Sequence, residues 1–157
     1  MKTILSPTTP LYPASPTPIP TGGRTSNLSD ARCTEIVFPG KVPGNNGAGG
    51  LLRMHWSAKS NLLGTYSWLV RSATKTRHAG PVRLELIRYS IGRLMDYDNL
   101  VSTGKFPIDA IVKAGVLPDD NPAIIAERRY TQQRAASAAA QRTVIRITDL
   151  PTPAPQL

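Results

Sequence analysis

Four aspartates in two short segments carry the most evident chemistry of this chain. Asp96 and Asp98 lie two residues apart, and Asp119 and Asp120 follow about twenty residues later. Carboxylate oxygens from separate segments suit hard cations such as Mg²⁺ or Mn²⁺, which keep several waters and complete their shell with substrate phosphate. A metal held in this way can activate water and neutralise the charge that develops in phosphodiester hydrolysis. The pattern therefore predicts a carboxylate metal site.

The charge around these aspartates indicates a polyanionic partner. The 157-residue chain has 19 Lys and Arg, 10 Asp and Glu and a formal net charge of +9. Such a balance favours nucleic acid, with acidic membrane surfaces second. One cysteine and two histidines exclude an internal disulfide and a Cys/His zinc site, and neither His78 nor Cys33 has an evident partner. An EF-hand loop counted from Asp96 fails, because Val101 replaces its glycine and Pro107 its last glutamate.

One folded domain is expected between two proline-rich ends. Residues 1–32 predict a disordered leader and residues 151–157 a flexible tail, because neither composition can bury enough surface to offset the cost of ordering it. The first residues have too short an apolar run for a signal peptide, and no stretch approaches the ~20 apolar residues of a membrane span. We therefore expect a soluble cytoplasmic protein with no membrane partner.

Residues 33–150 predict an α/β (α+β) domain in which a mixed sheet of about four strands packs with two main helices. Alternating and β-branched runs predict strands at 34–38, 82–89, 123–133 and 143–149. Apolar residues spaced by three and four predict a helix over 59–76 and a second helix that ends at Gly115, with a bend or a new start near Phe106 because of Pro107. The alanine-rich link 134–140 fits either a helical turn or a loop.

These elements would bring the two acidic segments together. Asp96 and Asp98 are expected in the extended approach to the second helix, where residues two apart point the same way, and Asp119 and Asp120 follow its end. The alternative is that the aspartates only cap the helix and form a turn. We favour the metal, because four carboxylates around one helix repel one another without a cation.

Three groups of residues in this region resemble the motif of the RusA family of Holliday junction resolvases. In chain order they are Asp96-x-Asp98-Asn99-Leu100, Lys105-x-x-x-Asp109-Ala110 and Ala114-Gly115-Val116-x-x-Asp119-Asp120. The chain departs from the compact form of the motif by about three extra residues between Asn99 and Lys105. The proline-rich leader has no counterpart in the family pattern.

The resemblance implies a Mg²⁺-dependent homodimer that cuts four-way DNA junctions. It implies catalytic roles for Asp96, Asp98, Asp120 and Lys105, and metal binding by Asp96, Asp98, Asp119 and Asp120. Lys105 would act at the scissile phosphate. Asp109 would orient Lys105, and Asn99 would support the metal ligands. No small-molecule cofactor is expected.

A glycine-rich loop after the first strand, residues 39–56, occupies the place of a basic, asparagine-containing substrate loop in the family. A plain mobile loop is the alternative. Side chains that we predict to contact DNA, here and on later elements, are Lys41, Asn46, Arg53, His55, Lys59, Arg128 and Arg129.

The expected function is therefore Mg²⁺-dependent resolution of Holliday junctions in recombination and repair, near the nucleoid, with a phage or prophage gene as one expected origin. Two alternatives remain open at this point. One is a non-catalytic, basic nucleic-acid-binding protein, and the other is a related nuclease that acts on flaps or forks.

Overall fold

Four strands, three α-helices and one 3₁₀ turn make up the part of the chain that the computed structural model describes, residues 31–47 and 49–151. Residues 1–30 and 152–157, in the predicted leader and tail, lie outside this part. In chain order the elements are β1 (Cys33–Pro39), α1 (Trp56–Ala73), β2 (Val82–Ser90), α2 (Tyr97–Ser102), α3 (Lys105–Lys113), β3 (Ile125–Arg134), a 3₁₀ turn (Ala138–Ala140) and β4 (Arg142–Asp149).

The strands form one mixed sheet in the order β1-β4-β2-β3. β4 pairs antiparallel with both β1 and β2, whereas β2 and β3 are parallel and are joined through α2 and α3. Parallel neighbours need such a crossover because a tight turn cannot connect them. The predicted α+β class, the mixed four-stranded sheet and the two main helices, α1 and α3, are confirmed.

Alternation along β2 defines the two faces of the sheet. Every second residue from Val82 to Ser90 is buried, and the residues between are half-buried. Directly paired residues share a face, so the register places Ile145 and Tyr130 beside Leu86 on the buried side. We call the side that packs against the helices the inner face. The outer face has ion pairs, such as Arg83–Glu127 at 2.6 Å and Arg146–Glu35 at 2.7 Å.

Helix α1 begins and ends about three residues earlier than predicted. His55 caps its N-terminus, with the ring accepting a hydrogen bond from Ser57 N, and Thr74 leaves the helix in extended conformation. The cap was missed because histidine is not among the residues that most often occupy this position. Tyr66 and Val70 are buried in the core, where Tyr66 packs edge-on against Phe38 of β1 with ring centroids 5.1 Å apart.

The second predicted helix is two helices, because the chain breaks at Thr103 and Gly104. α3 begins at Lys105, which confirms the predicted restart near Phe106. Pro107 lies in the first turn of α3, where backbone N–H groups have no hydrogen-bond partner within the helix, so proline costs no hydrogen bond there. A Cβ on Gly104 would lie 3.0 Å from the Tyr130 ring, so the junction approaches the sheet closely. No helix in the described ranges is both long and apolar enough to cross a membrane.

Candidate functional site

Asp96 is the N-cap of α2 and not a free carboxylate. Its Oδ1 accepts from Asn99 N at 2.9 Å and its Oδ2 accepts from Asn99 Nδ2 at 2.7 Å. These hydrogen bonds, the backbone one first, hold the pKa of the Asp96 carboxyl below its ordinary value of 3.8. The capping alternative is therefore correct for Asp96, which keeps lone pairs for a further ligand.

Asp98 lies inside the first turn of α2, so the expectation that it shares an extended segment with Asp96 is wrong. The helix begins one residue after Asp96 because the cap fixes its start. Asp98 is exposed, and residues three and four positions later on a helix share its face. Those residues are Val101 and Ser102, which line the cleft described next.

A cleft of about 270 Å³ lies between α2, α3 and β3, and we call it the lysine cleft. Lys105 Nζ lies 3.4 Å from Asp109 Oδ2, with the Lys105 side chain 67% exposed and that of Asp109 32% exposed. Residues from all three elements meet here, which sequence spacing alone did not show. The lining consists of Val101, Ser102, Lys105, Ile108, Asp109, Asp120, Arg128 and Tyr130.

The paired aspartates after α3 separate in space. Asp119 closes the turn: its Oδ1 accepts from Asp120 N at 2.7 Å and its Oδ2 accepts from Asn121 Nδ2 at 2.6 Å. The first of these bonds is the main cause that lowers the pKa of the Asp119 carboxyl below 3.8. Asp120 instead lines the lysine cleft, and its backbone carbonyl accepts from Arg128. The structure thus brings Asp120, Lys105, Asp109 and Arg128 together.

Strand alternation assigns the two neighbouring arginines of β3 to opposite faces. Arg128 pairs with Leu84 and lies on the inner face at the lysine cleft. Arg129 pairs with Glu85 in the register, and their side chains form an ion pair of 3.6 Å on the outer face. Both arginines are predicted to contact DNA, but only Arg128 lies at the candidate site.

Gln132, which the sequence analysis missed, fixes the segment before α2. Its Oε1 accepts from Met95 N at 3.0 Å, and its Nε2 donates to Met95 O at 2.6 Å. This clamp joins the edge strand β3 to the residue preceding the Asp96 cap. The strand alternation that places Arg128 on the inner face also places Gln132 there. This alternation was the sequence signal that could have identified Gln132.

The loop between β1 and α1 carries most of the other predicted DNA contacts. Lys41 and Arg53 are exposed, Lys59 is half-buried on α1, and His55 is occupied as the cap of α1. Asn46 is also exposed, and its Nδ2 donates to Asn99 Oδ1 at 2.6 Å. The loop therefore packs onto α2 beside the candidate site.

His78 has partners, contrary to the expectation from sequence. Its Nδ1 lies 2.6 Å from Asp149 Oδ1 and its Nε2 lies 2.8 Å from Thr34 Oγ1, with the imidazole fully buried. The partners are 44 and 71 residues away in sequence, so no local pattern indicated them. This chain of bonds ties β1 to β4 and is structural.

The aspartates match Mg²⁺ or Mn²⁺ in the chemistry of their donor atoms. Mg²⁺ is often bound by one or two carboxylates together with waters and substrate phosphate, so it does not need a closed protein cage. Within residues 31–47 and 49–151, no three His, Cys, Asp or Glu side chains are grouped so that they could hold one ion. Asp120 lines the lysine cleft, and Asp98 lies on the α2 face that carries the lining residues Val101 and Ser102, so these two exposed carboxylates fit such an open site best.

Comparison of the sequence with models of protein families and with characterised proteins gives no match.

Proposed function

We propose that this protein is a metal-dependent endonuclease that cuts branched DNA, with the lysine cleft as its active site. The observation that carries the proposal is the convergence of Lys105, Asp109, Asp120 and Arg128 on one cleft in a chain of net charge +9. Carboxylates and cations that share an open cleft match a phosphodiester with its metal. The spacing of the aspartates and Lys105 resembles the motif of the RusA family, and this resemblance supports four-way junctions as the substrate.

Asp98 and Asp120 would hold the metal, with Asp96 and Asp119 reinforcing the negative field from their cap and turn. A bound Mg²⁺ or Mn²⁺ supplies charge neutralisation and acidifies a water molecule. Asp96 and Asp119 also keep free lone pairs, so we propose them as additional metal ligands beside Asp98 and Asp120.

Lys105 acts on the phosphate and Asp109 positions it. An exposed ion pair one helical turn apart contributes only ~0.3–0.5 kcal/mol, so the ammonium can leave Asp109 for a phosphate oxygen at little cost. Arg128 reaches the same cleft from β3, where a guanidinium can bind a backbone phosphate through two donors. Both cations therefore oppose the negative charge that develops at phosphorus.

Paired cuts across a four-way junction require two active sites, so we propose that the protein acts as a homodimer. Its action would take place in the cytoplasm, on nucleoid or phage DNA.

The decisive experiment compares Asp98→Asn with the wild type on a mobile four-way junction and on a duplex of the same sequence. Cleavage with Mg²⁺ should disappear in the variant, while junction binding persists or strengthens because a negative charge is lost. Glu35→Gln, on the outer face, is the matched control and should cleave normally. Full cleavage by Asp98→Asn would refute the site, and equal cutting of duplex and junction would refute the branched substrate.

Lys105→Met tests the catalytic cation separately from the metal ligands. We expect cleavage to fall by ~10²–10³-fold, as for the loss of one group that stabilises transition-state charge. Lys113→Met removes a lysine from the last turn of the same helix and should leave cleavage unchanged. Similar losses in both variants would show that only net charge matters.

A second candidate is a non-catalytic nucleic-acid-binding protein, favoured by one observation. Asp96 and Asp119 are already engaged in a cap and a turn, which are ordinary structural roles. Thermal unfolding with and without Mg²⁺ or Mn²⁺ discriminates between the two, since a metal that binds the folded state raises its stability by mass action. An unchanged melting temperature and no cleavage would support this second function.

A further inference from the structure

Arg88 is a buried cation without an acidic partner. It lies on the inner face of β2, is 3% exposed, and its Nη1 donates to the backbone carbonyl of Val42 at 2.8 Å. None of the ion pairs between described residues includes it. Burial lowers the pKa of its guanidinium, which means that the charged form is held there at a cost in free energy. A buried charge is usually compensated by an anion.

Two buried side-chain polar atoms in the described ranges have no hydrogen-bond partner, and they belong to residues that are neighbours in the sheet. They are Arg88 Nε and Thr143 Oγ1. The two residues are directly paired across β2 and β4, so both side chains lie on the inner face. Unpaired polar atoms are rare in protein interiors. The hydrogen-bonding capacity of the Arg88 guanidinium is therefore only partly used by the described residues.

Arg88 lines an open cleft of about 400 Å³ beneath the loop that follows β1, and we call it the loop cleft. Lys41 lies at its rim and is exposed. The other side is formed by Met95 and by Asn99 of α2. The full lining is Lys41, Pro43, Gly44, Asn46, Gly47, Gly49, Arg88, Met95 and Asn99.

Hydrogen bonds hold the wall of this cleft in place. Asn46 Nδ2 donates to Asn99 Oδ1 at 2.6 Å, and Asn45 N donates to Ser102 Oγ at 3.1 Å. Within the loop, Leu51 N donates to Gly44 O at 2.8 Å, and a Cβ on Gly50 would lie only 2.4 Å from Asn45 O. Glycine is thus needed for this compact loop, which makes the cleft a built feature of the fold.

We propose that the loop cleft binds one backbone phosphate of the DNA substrate, with Arg88 at its floor and Lys41 at its rim. This inference rests on the proposed function and adds a second contact site to it. A guanidinium offers several donors in a plane and matches phosphate oxygens better than other side chains do. Asn99 lines the loop cleft, whereas Val101 and Ser102 of the same short helix line the lysine cleft, so α2 borders both clefts. One DNA strand crossing α2 would contact both.

Three variants of the full chain test the proposal. Arg88→Met keeps a long side chain at the floor and removes the charge. Lys41→Met changes the exposed rim and cannot disturb the core. Arg83→Met is the control, because Arg83 belongs to the same strand but pairs with Glu127 on the outer face.

Two measurements are made on each variant, and neither depends on cleavage. The first is the melting temperature in inorganic phosphate against chloride at equal ionic strength and pH. The second is affinity for a four-way junction, in the absence of divalent metal, over a range of salt concentrations. A lost phosphate contact lowers the slope of log affinity against log salt by ~1. We expect Arg88→Met to bind the junction ~10–100-fold more weakly, as for a charge-assisted hydrogen bond.

The proposal is supported if phosphate stabilises the wild type and Arg83→Met but not Arg88→Met, while Arg88→Met and Lys41→Met both lose affinity and salt slope. An Arg88-dependent response to phosphate without any effect on DNA binding would assign the cleft to a free phosphate or phosphomonoester and overturn the DNA assignment. Loss of DNA binding without that response would show that Arg88 only supports the loop, and would also overturn it. None of these outcomes depends on whether Asp98→Asn loses cleavage, which tests the proposed function separately.

Discussion

Replacing His78 with leucine is expected to lower the free energy of unfolding by ~1.5–4 kcal/mol. The imidazole is fully buried and bonded at both nitrogens, to Asp149 at 2.6 Å and to Thr34 at 2.8 Å. A carboxylate can only accept, so Nδ1 donates to Asp149, while Nε2 is hydrogen-bonded to the Thr34 hydroxyl, a group that can donate or accept. Leucine has a similar volume and can make neither bond.

The magnitude comes from the exposure of the two groups that lose their partner. Thr34 is 6% exposed, so its hydroxyl remains buried and unpaired, which costs ~1–3 kcal/mol. The Asp149 side chain is 33% exposed and can hydrogen-bond to water instead, so losing its bond to His78 costs only ~0.5–1 kcal/mol. Most of the destabilisation therefore arises at Thr34.

Urea unfolding of a double-mutant cycle tests this assignment. Thr34→Val in the His78→Leu background removes the unpaired hydroxyl and should recover ~1–3 kcal/mol, since replacing both partners by apolar groups is nearly neutral. Thr131→Val, at an exposed position of β3, is the control and should change stability by less than ~0.5 kcal/mol. The reasoning is refuted if His78→Leu is as stable as the wild type, or if adding Thr34→Val destabilises it further.

Three further predictions concern the elements around the lysine cleft. The pKa of the Asp96 carboxyl is lowered in the folded protein, so the ionised carboxylate stabilises the fold above its ordinary pKa of 3.8. This contribution is lost as pH falls through the lower pKa of the folded state. Between pH 5 and pH 2.5, Asp96→Asn should therefore lose less stability than the wild type, as measured by urea unfolding. Gly115 has a φ of +79°, a backbone conformation that strains a residue with a Cβ, so Gly115→Ala should lower the free energy of unfolding by ~1–2 kcal/mol. A melting temperature equal to that of the wild type would contradict this reasoning. Gln132→Leu should cost ~1–2 kcal/mol by releasing both bonds to Met95, whereas Gln133→Leu, its exposed neighbour, should not.

The strands and helices could be predicted from sequence because their signals are local. Val82 to Leu86 alternates between apolar and polar residues, and the alternation of buried and half-buried positions continues along β2 to Ser90. The three-and-four spacing of apolar residues found α1, although its ends shifted because a histidine cap lies outside the usual signals. Pro107 indicated a helix restart, and the structure has one at Lys105.

The candidate site could be predicted only in part. Spacing grouped Lys105 with Asp109, which the structure confirms as neighbours, and offered a helix cap within the Asp96–Asn99 segment as an alternative, without identifying Asp96 as the cap. Spacing did not separate Asp119 from Asp120, because whether a side chain enters a turn or a cleft depends on what packs beside it. The metal, the DNA substrate and the roles of these residues stay predictions.

By itself the sequence determined the class of the fold, the acidic segments and the charge that favours a polyanion, since these follow from composition and short-range periodicity. Only the tertiary structure decided which side chains meet. The register of β2 against β3 and β4 places Arg128 on the inner face and Arg129 on the outer, and leaves Arg88 beside Thr143. Such pairings join residues far apart in the chain, and they are fixed by how the whole sheet buries one face, which no local pattern records.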